Sequence, residues 1–176
     1  MAQLFDNEIK RTAEISDCGR YRYELTRTWD SDLPVCTFIM LNPSTADAEA
    51  DDPTIRRCIG FAKREGCGGL RVLNLFAFRA TSPDDMKAAD DPIGIGNHGF
   101  LGTLSSVSPP PLVIAAWGTH GHFKSRDCVV LGQLASLPIY CLGKTKAGHP
   151  RHPLYVRANH PLLPFNLTAH SEESRP

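Results

Sequence analysis

None of the six cysteines, at positions 18, 36, 58, 67, 128 and 141, forms a C-x-x-C pair. An iron–sulfur or structural zinc site needs that kind of close pairing, so no metal and no cofactor are expected. Cys36 and Cys141 sit in apolar strand-like runs and Cys58 on a helical stripe, which makes buried free thiols the simpler assignment. Net charge is lacking too, because 19 Lys+Arg balance 19 Asp+Glu. That excludes a protein held on nucleic acid by bulk charge alone, but not a local basic patch. No apolar run reaches the roughly 20 residues that span a bilayer. Residues 1–10 have no apolar core and carry Asp6 and Glu8. No membrane partner is therefore expected, and a cytoplasmic location is. There is no G-x-S-x-G elbow for Ser-His-Asp catalysis and no internal repeat. Gly143-Lys144-Thr145 resembles the end of a phosphate-binding P-loop. The first glycine of that pattern would fall on Pro138, however, and Gly148 and Pro150 break the helix that should follow.

What the chain does have is organised around V-C-T-F-I-M-L-N-P-S-T-A-D, residues 35–47. Residues 35–41 are apolar apart from Thr37 and stop abruptly at Asn42-Pro43-Ser44-Thr45. Such a run reads as a strand buried on both faces. Pro43 fixes its own φ and pushes Asn42 towards an extended conformation, so the loop is stiff. Polar loops at the carboxyl ends of such strands are where α/β proteins put their ligands.

Along the chain, residues 21–29 alternate and read as a half-exposed edge strand. Asp52 and Pro53 form an N-cap and first-turn pair for a helix over 53–65, with Ile55, Cys58, Ile59 and Ala62 on one face. Residues 70–75 form the next strand, ending near Asn74. A loop over 81–91 holds a short helical turn after Pro83. Asp91-Pro92 starts a second helix by the same device, running to about Ser105. Residues 112–117 form a third buried strand, closed by Gly118. Residues 122–136 form a helix with Val129, Val130, Leu131 and Leu134 inside, and residues 138–142 form a fourth strand.

Residues 1–19 read as a lead-in, 20–165 as a single α/β domain and 166–176 as a disordered tail. Strands that alternate with helices and are apolar on both faces predict a three-layer α/β/α sandwich. Its central sheet is expected to be mostly parallel and four-stranded, with an added N-terminal edge strand. Right-handed crossovers then bring every strand's carboxyl end to one rim.

That rim collects Asn42, Asn74, Trp117, Gly118 and Lys144. An Asn carboxamide pairs well with the amide edge of a nucleobase. Asn42 is placed to orient a water, Ser44 and Thr45 to bind a phosphate or sugar hydroxyl, and Asp47 to act as a base. Alternatively, Asn42 and Ser44 merely cap backbone groups in the turn. The late loop G-H-P-R-H-P-L-Y holds His152 between prolines, with His149 as the competing histidine. Lys144, Lys146 and Arg151 lie close by, so an anionic ligand is expected inside a neutral protein.

Across nearly the whole chain, M-L-N-P-S-T-A-D, D-D-P-T-I-R-R-C, N-L-F-A-F-R-A-T, D-P-I-G-x-G-N, A-W-G and H-P-R-H-P-L-Y resemble a bacterial family catalogued as domain of unknown function 1643. More distantly, the order of these motifs is similar to the uracil-DNA glycosylase superfamily. That resemblance implies that the loop at Asn42, Pro43 and Ser44 positions a hydrolytic water and that Asn74 reads the base. It implies that Phe76 or Trp117 stacks on the base, with Arg79 in the same N-L-F-A-F-R-A-T stretch. His152 would be the catalytic histidine and Leu154 or Tyr155 the side chain that penetrates DNA. The late loop departs from the superfamily in having Leu154-Tyr155 directly after Pro153. The expected function is a hydrolase cleaving a nucleobase N-glycosidic bond, with a nucleobase-containing small molecule or DNA as partner. The alternative is a non-catalytic nucleotide- or nucleic-acid-binding module with the same pocket.

Overall fold

The computed structural model describes residues 9–44 and 49–166. Thr45 and Asp47, two of the expected site residues, and the tail over 167–176 lie outside the described residues. In chain order the elements are β1 (Lys10–Ile15), β2 (Arg22–Thr28), β3 (Val35–Met40), α1 (Pro53–Arg64), β4 (Gly69–Asn74), α2 (Pro83–Ala88) and α3 (Asn97–Gly102). They continue with β5 (Leu112–Ala115), α4 (Arg126–Gln133), β6 (Ile139–Cys141) and β7 (Leu163–Pro164). The strands form one mixed sheet in the order β1-β2-β4-β3-β5-β6-β7. Its core, β4-β3-β5-β6, is parallel. The flanking β1, β2 and β7 pair antiparallel.

The expected four-stranded sheet with one edge strand is therefore corrected to seven strands. Residues 21–29 are not at the edge, because β2 lies between β1 and β4. Residues 10–15, within the supposed lead-in, form the edge. Their sequence, K-R-T-A-E-I, is largely polar and exposed. It is a strand because the open side of β2 offers backbone partners, not because it has a face to bury.

Alternation along the parallel strands sends side chains into two apolar clusters. Cys36, Phe38, Met40, Leu70, Val72 and Ile114 pack with Ile55, Cys58, Ile59 and Ala62 of α1. Ile39, Leu73, Val113 and Ala115 pack with Met86 of α2, Leu101 of α3 and Val130 of α4. None of the helices among the described residues is long and apolar enough to cross a membrane.

Two helix starts carry the same Asp-Pro pair with different outcomes. Asp52 caps α1 as expected, with Ile55 N–H donating to its carboxylate at 2.8 Å. Asp91 instead accepts from the backbone N–H groups of Ile93 and Gly94, and Gly94 turns left-handed at φ 84°. The helix expected from Asp91 thus starts only at Asn97. The expected helix over 122–136 is likewise shortened. Lys124 and Ser125 both have positive φ, so α4 begins at Arg126. Val130 and Leu134, four residues apart, share its buried face, and Val129, expected inside, is 46% exposed.

Candidate functional site

A cavity of about 610 Å³ lies at the carboxyl ends of β3, β4 and β5, closed on its far side by the loop over 143–155. Its size is within the range of small-molecule sites, on the order of 300–1,000 Å³. Of the residues named from the sequence it brings together Asn42, Ser44, Asn74, Trp117, Gly118, Arg151, His152 and Tyr155, and its lining adds Arg22, Asp52, Thr54, Thr119, His120 and Thr145.

The wall at the β3 tip is held by hydrogen bonds within the protein. Asn42 Nδ2 donates to the carbonyls of Pro43 (3.1 Å) and Ala80 (3.0 Å). Ala80 N–H donates to the Pro43 carbonyl, so the loops over 42–44 and 77–80 are tied together. Ser44 Oγ donates to one oxygen of Asp52 at 2.8 Å, while the other accepts the cap bond from Ile55. Asp52 is thus the carboxylate of the cavity among the described residues. The neighbouring Asp51 serves the fold by pairing with Arg11 (2.7 Å) and with fully buried Arg27 (2.8 Å). Burial pushes the Asp51 carboxyl up, but Arg27 and then Arg11 outweigh it and hold it below the ordinary 3.8.

The wall at the β4 and β5 tips is different. Asn74 is 1% exposed, and among the described residues nothing pairs with its Nδ2. Trp117 is 2% exposed, and its indole N–H has no partner among the described residues. Its ring is clamped between Gly121, where a Cβ would lie 2.2 Å from the indole, and the edge of Phe165. Arg22, at the β2 start, adds a buried cation. Burial lowers it from 12.5 to about 10, with Asp52 acting against the fall, and the guanidinium keeps its charge at neutral pH.

The late loop is carried by β5 and α1. Gly118, in the left-handed conformation at φ 75°, donates its N–H to the Pro150 carbonyl at 2.9 Å. Arg57 of α1 donates to the carbonyls of Pro153 and Val156. Arg64 donates to those of Ala158 (2.7 Å) and His160 (2.6 Å). So fixed, His152 caps the short turn that follows it by accepting the Leu154 N–H on Nδ1 at 3.3 Å. A backbone N–H can only donate, so the ring proton of neutral His152 sits on Nε2. Burial keeps the ring below the usual 6.5, against the pull of Asp52.

His120 shows the same pattern. Lys87 Nζ lies 3.1 Å from its Nδ1. An ammonium only donates, which again leaves Nε2–H as the ring's donor. Burial, then the Lys87 charge, lowers this ring as well.

Several expected residues do not reach the cavity. Pro43 is buried beside it and contributes its carbonyl to the loop tie. Phe76 is buried against Phe123. Arg79 donates to the Gly19 carbonyl at 3.1 Å. Lys144 lies over the Phe165 ring, Lys146 is exposed in a turn, and Leu154 is 45% exposed. Of the two late histidines, His152 lines the cavity, whereas His149 packs against His122. Asp52 was legible only as a cap. The signal for more was Ser44 eight residues earlier, which occupies its second oxygen. Arg22 was hidden by the register shift between Glu14 and Ile15, which disturbs the alternation of β2. His120 also lines the cavity, and its partner is Lys87. Among the described residues no three His, Cys, Asp or Glu are grouped to hold a metal ion.

The model of the family described as "Protein of unknown function (DUF1643)" matches residues 22–154, and the chain belongs to that family. The matched span starts at Arg22 and takes in every cavity residue named above except Tyr155. No curated protein matches the chain, and no solved structure does.

Proposed function

We propose that this family member is a hydrolase that cleaves the N-glycosidic bond of a nucleobase, in DNA or in a nucleotide. The observation that carries the reading is the buried Asn74 carboxamide, whose Nδ2 has no partner among the described residues, in the wall of a strand-end cavity. A buried donor without a partner costs roughly 1–3 kcal/mol. A ligand carbonyl of the kind found on a base edge would remove that cost. A carboxylate has about four acceptor positions, and Asp52 uses two within the protein. The others would accept from a water, aided by Asn42 Oδ1, which has no partner among the described residues. The water oxygen attacks the anomeric carbon, its proton passes to Asp52, and the C–N bond pair leaves with the base. His152 Nε2–H then donates to the anion that departs. Were the base in DNA, it would have to be flipped out, and exposed Leu154 and Tyr155 are the available wedge. The same reading extends to the fold as a three-layer α/β/α sandwich of the uracil-DNA glycosylase type. Its support is the order of the motifs along the chain and the apolar packing on both sheet faces.

One observation favours a binding module instead. Both Asp52 oxygens and the Asn42 amide nitrogen are already engaged in protein hydrogen bonds. A base-release panel over DNA carrying altered bases and over free nucleotides separates the two readings. A hydrolase releases base, and His152→Ala and Asp52→Asn each slow it about 10²–10⁴-fold. Asparagine caps a helix as well as aspartate, so the second variant keeps α1. No release at enzyme excess, with binding retained, would establish the binding module.

A further inference from the structure

We infer that the rim of this cavity formed by Thr119, His120, Thr145 and Arg151 is a phosphate subsite, so that the ligand is a free nucleoside monophosphate. This rests on the nucleobase reading above and adds a second recognition element to it.

The cavity is rich in donors. Among the described residues, Arg22 and Arg151 bring two guanidiniums to the lining against one carboxylate, that of Asp52, in a chain of formal net charge zero. Asn74 Nδ2 and Trp117 Nε1 add buried N–H groups without partners among the described residues. Both imidazoles in the lining have their Nδ1 occupied by a donor, which leaves Nε2–H. A lining of this kind suits an acceptor-rich anion. The donors also divide by depth. Asn74 and Trp117 are buried, whereas Thr119 and Arg151 are exposed.

Two loops build the rim together. Gly118 N–H donates to the Pro150 carbonyl at 2.9 Å, which ties the two loops together where Thr119 and Arg151 both border the cavity. Arg151 Nε is fixed on the Lys144 carbonyl at 3.2 Å, leaving its terminal nitrogens for a ligand. Lys87 stands behind His120 and adds a positive charge to that side, with the exposed Asp84 carboxylate 4.0 Å away. A phosphate there would meet hydroxyls, a guanidinium and an imidazole N–H, while the base reaches Asn74.

The test is calorimetric titration of the full chain with the nucleoside 5′-monophosphates, the matching nucleosides, inorganic phosphate, and single- and double-stranded oligonucleotides. Monophosphates should bind at least tenfold tighter than their nucleosides, and inorganic phosphate should compete with them. Lys87→Gln and Arg151→Gln should each erase most of that gain without changing nucleoside affinity, and thermal melts check that both fold. Equal affinity for nucleoside and monophosphate, or a gain that survives the double variant, overturns the subsite while leaving the nucleobase reading intact. Oligonucleotides that bind more tightly than every monophosphate assign the rim to a DNA phosphodiester and overturn the free nucleotide. If neither nucleosides nor monophosphates bind, the nucleobase reading itself falls.

Discussion

The two walls of the cavity use the same residue types in opposite ways. At the β3 tip, Asn42, Ser44 and Asp52 are all joined to protein partners. At the β4 and β5 tips, Asn74 and Trp117 are buried with nitrogens that meet no partner among the described residues. Both asparagines end an apolar strand, and what separates them in sequence is the residue that follows, Pro43 after Asn42 and Leu75 after Asn74. The difference is that Pro43 turns the chain so that Asn42 faces the Ala80 loop, whereas β4 carries Asn74 into the cavity. The satisfied wall holds the fold, and the unsatisfied wall is where a ligand would add most. Substitutions on the two sides should therefore part company, with stability lost on one and ligand lost on the other.

The largest loss of stability is expected just beyond the satisfied wall, at Asp51→Ala. Arg27 has no exposed side-chain surface, and removing Asp51 takes away the carboxylate that accepts from its Nε. Breaking a buried pair in this way costs about 3–5 kcal/mol, read as a lower midpoint in denaturant. The same pair gives a pH dependence. The folded-state pKa of Asp51 lies below its ordinary 3.8, so its contribution is complete above that value and drains away as pH falls through the depressed one. Unfolding curves from neutral to strongly acidic pH should therefore converge for the parent protein and the variant at the acid end. A gap that stays constant with pH would show that Asp51 acts by something other than its charge.

Asn42→Ala should have a smaller effect, about 1–2 kcal/mol, because the hydrogen bonds it makes are to backbone carbonyls. Pro43 keeps its bond from Ala80 N–H, so the loop tie is weakened and not lost. A melting temperature identical to the parent's would mean the amide does not hold the loop. The wall would then lose its claim to a structural role.

Much of this was legible in the sequence, and the limits have physical causes. The four parallel strands stand out because they are apolar on both faces, and right-handed crossovers bring their ends to one rim. That is why Asn42, Asn74, Trp117 and His152 border one cavity. β1 and β7 were not legible, because an edge strand is defined by a neighbour's open backbone and not by its own side chains. Side-chain direction beyond a strand end was not legible either. Phe76 has the parity of Asn74, yet it packs into the cluster of Leu73 and Leu75, because β4 stops at Asn74 and its alternation stops there too. Arg22 and Asp52 were missed for a related reason. A buried charge and a helix cap reveal a second role only when the partner across space is known.

The smallest change in stability is expected at Asn74→Leu, and this substitution separates the walls most sharply. Leucine has similar bulk, and Val72, two residues back on the same face, and Met40, the register partner of Asn74 on β3, are apolar. The parent carboxamide nitrogen is buried without a partner among the described residues. Replacing such a group by an apolar one of like shape is neutral or stabilising, by up to about 1 kcal/mol. The same change removes the only buried carboxamide that lines the cavity among the described residues, so nucleobase affinity should fall at least tenfold. A marked loss of stability in Asn74→Leu would mean that Asn74 is satisfied within the protein as Asn42 is, and the contrast between the walls would disappear. Unchanged stability with unchanged affinity would leave the contrast standing and move base recognition away from β4, towards Trp117 and the late loop.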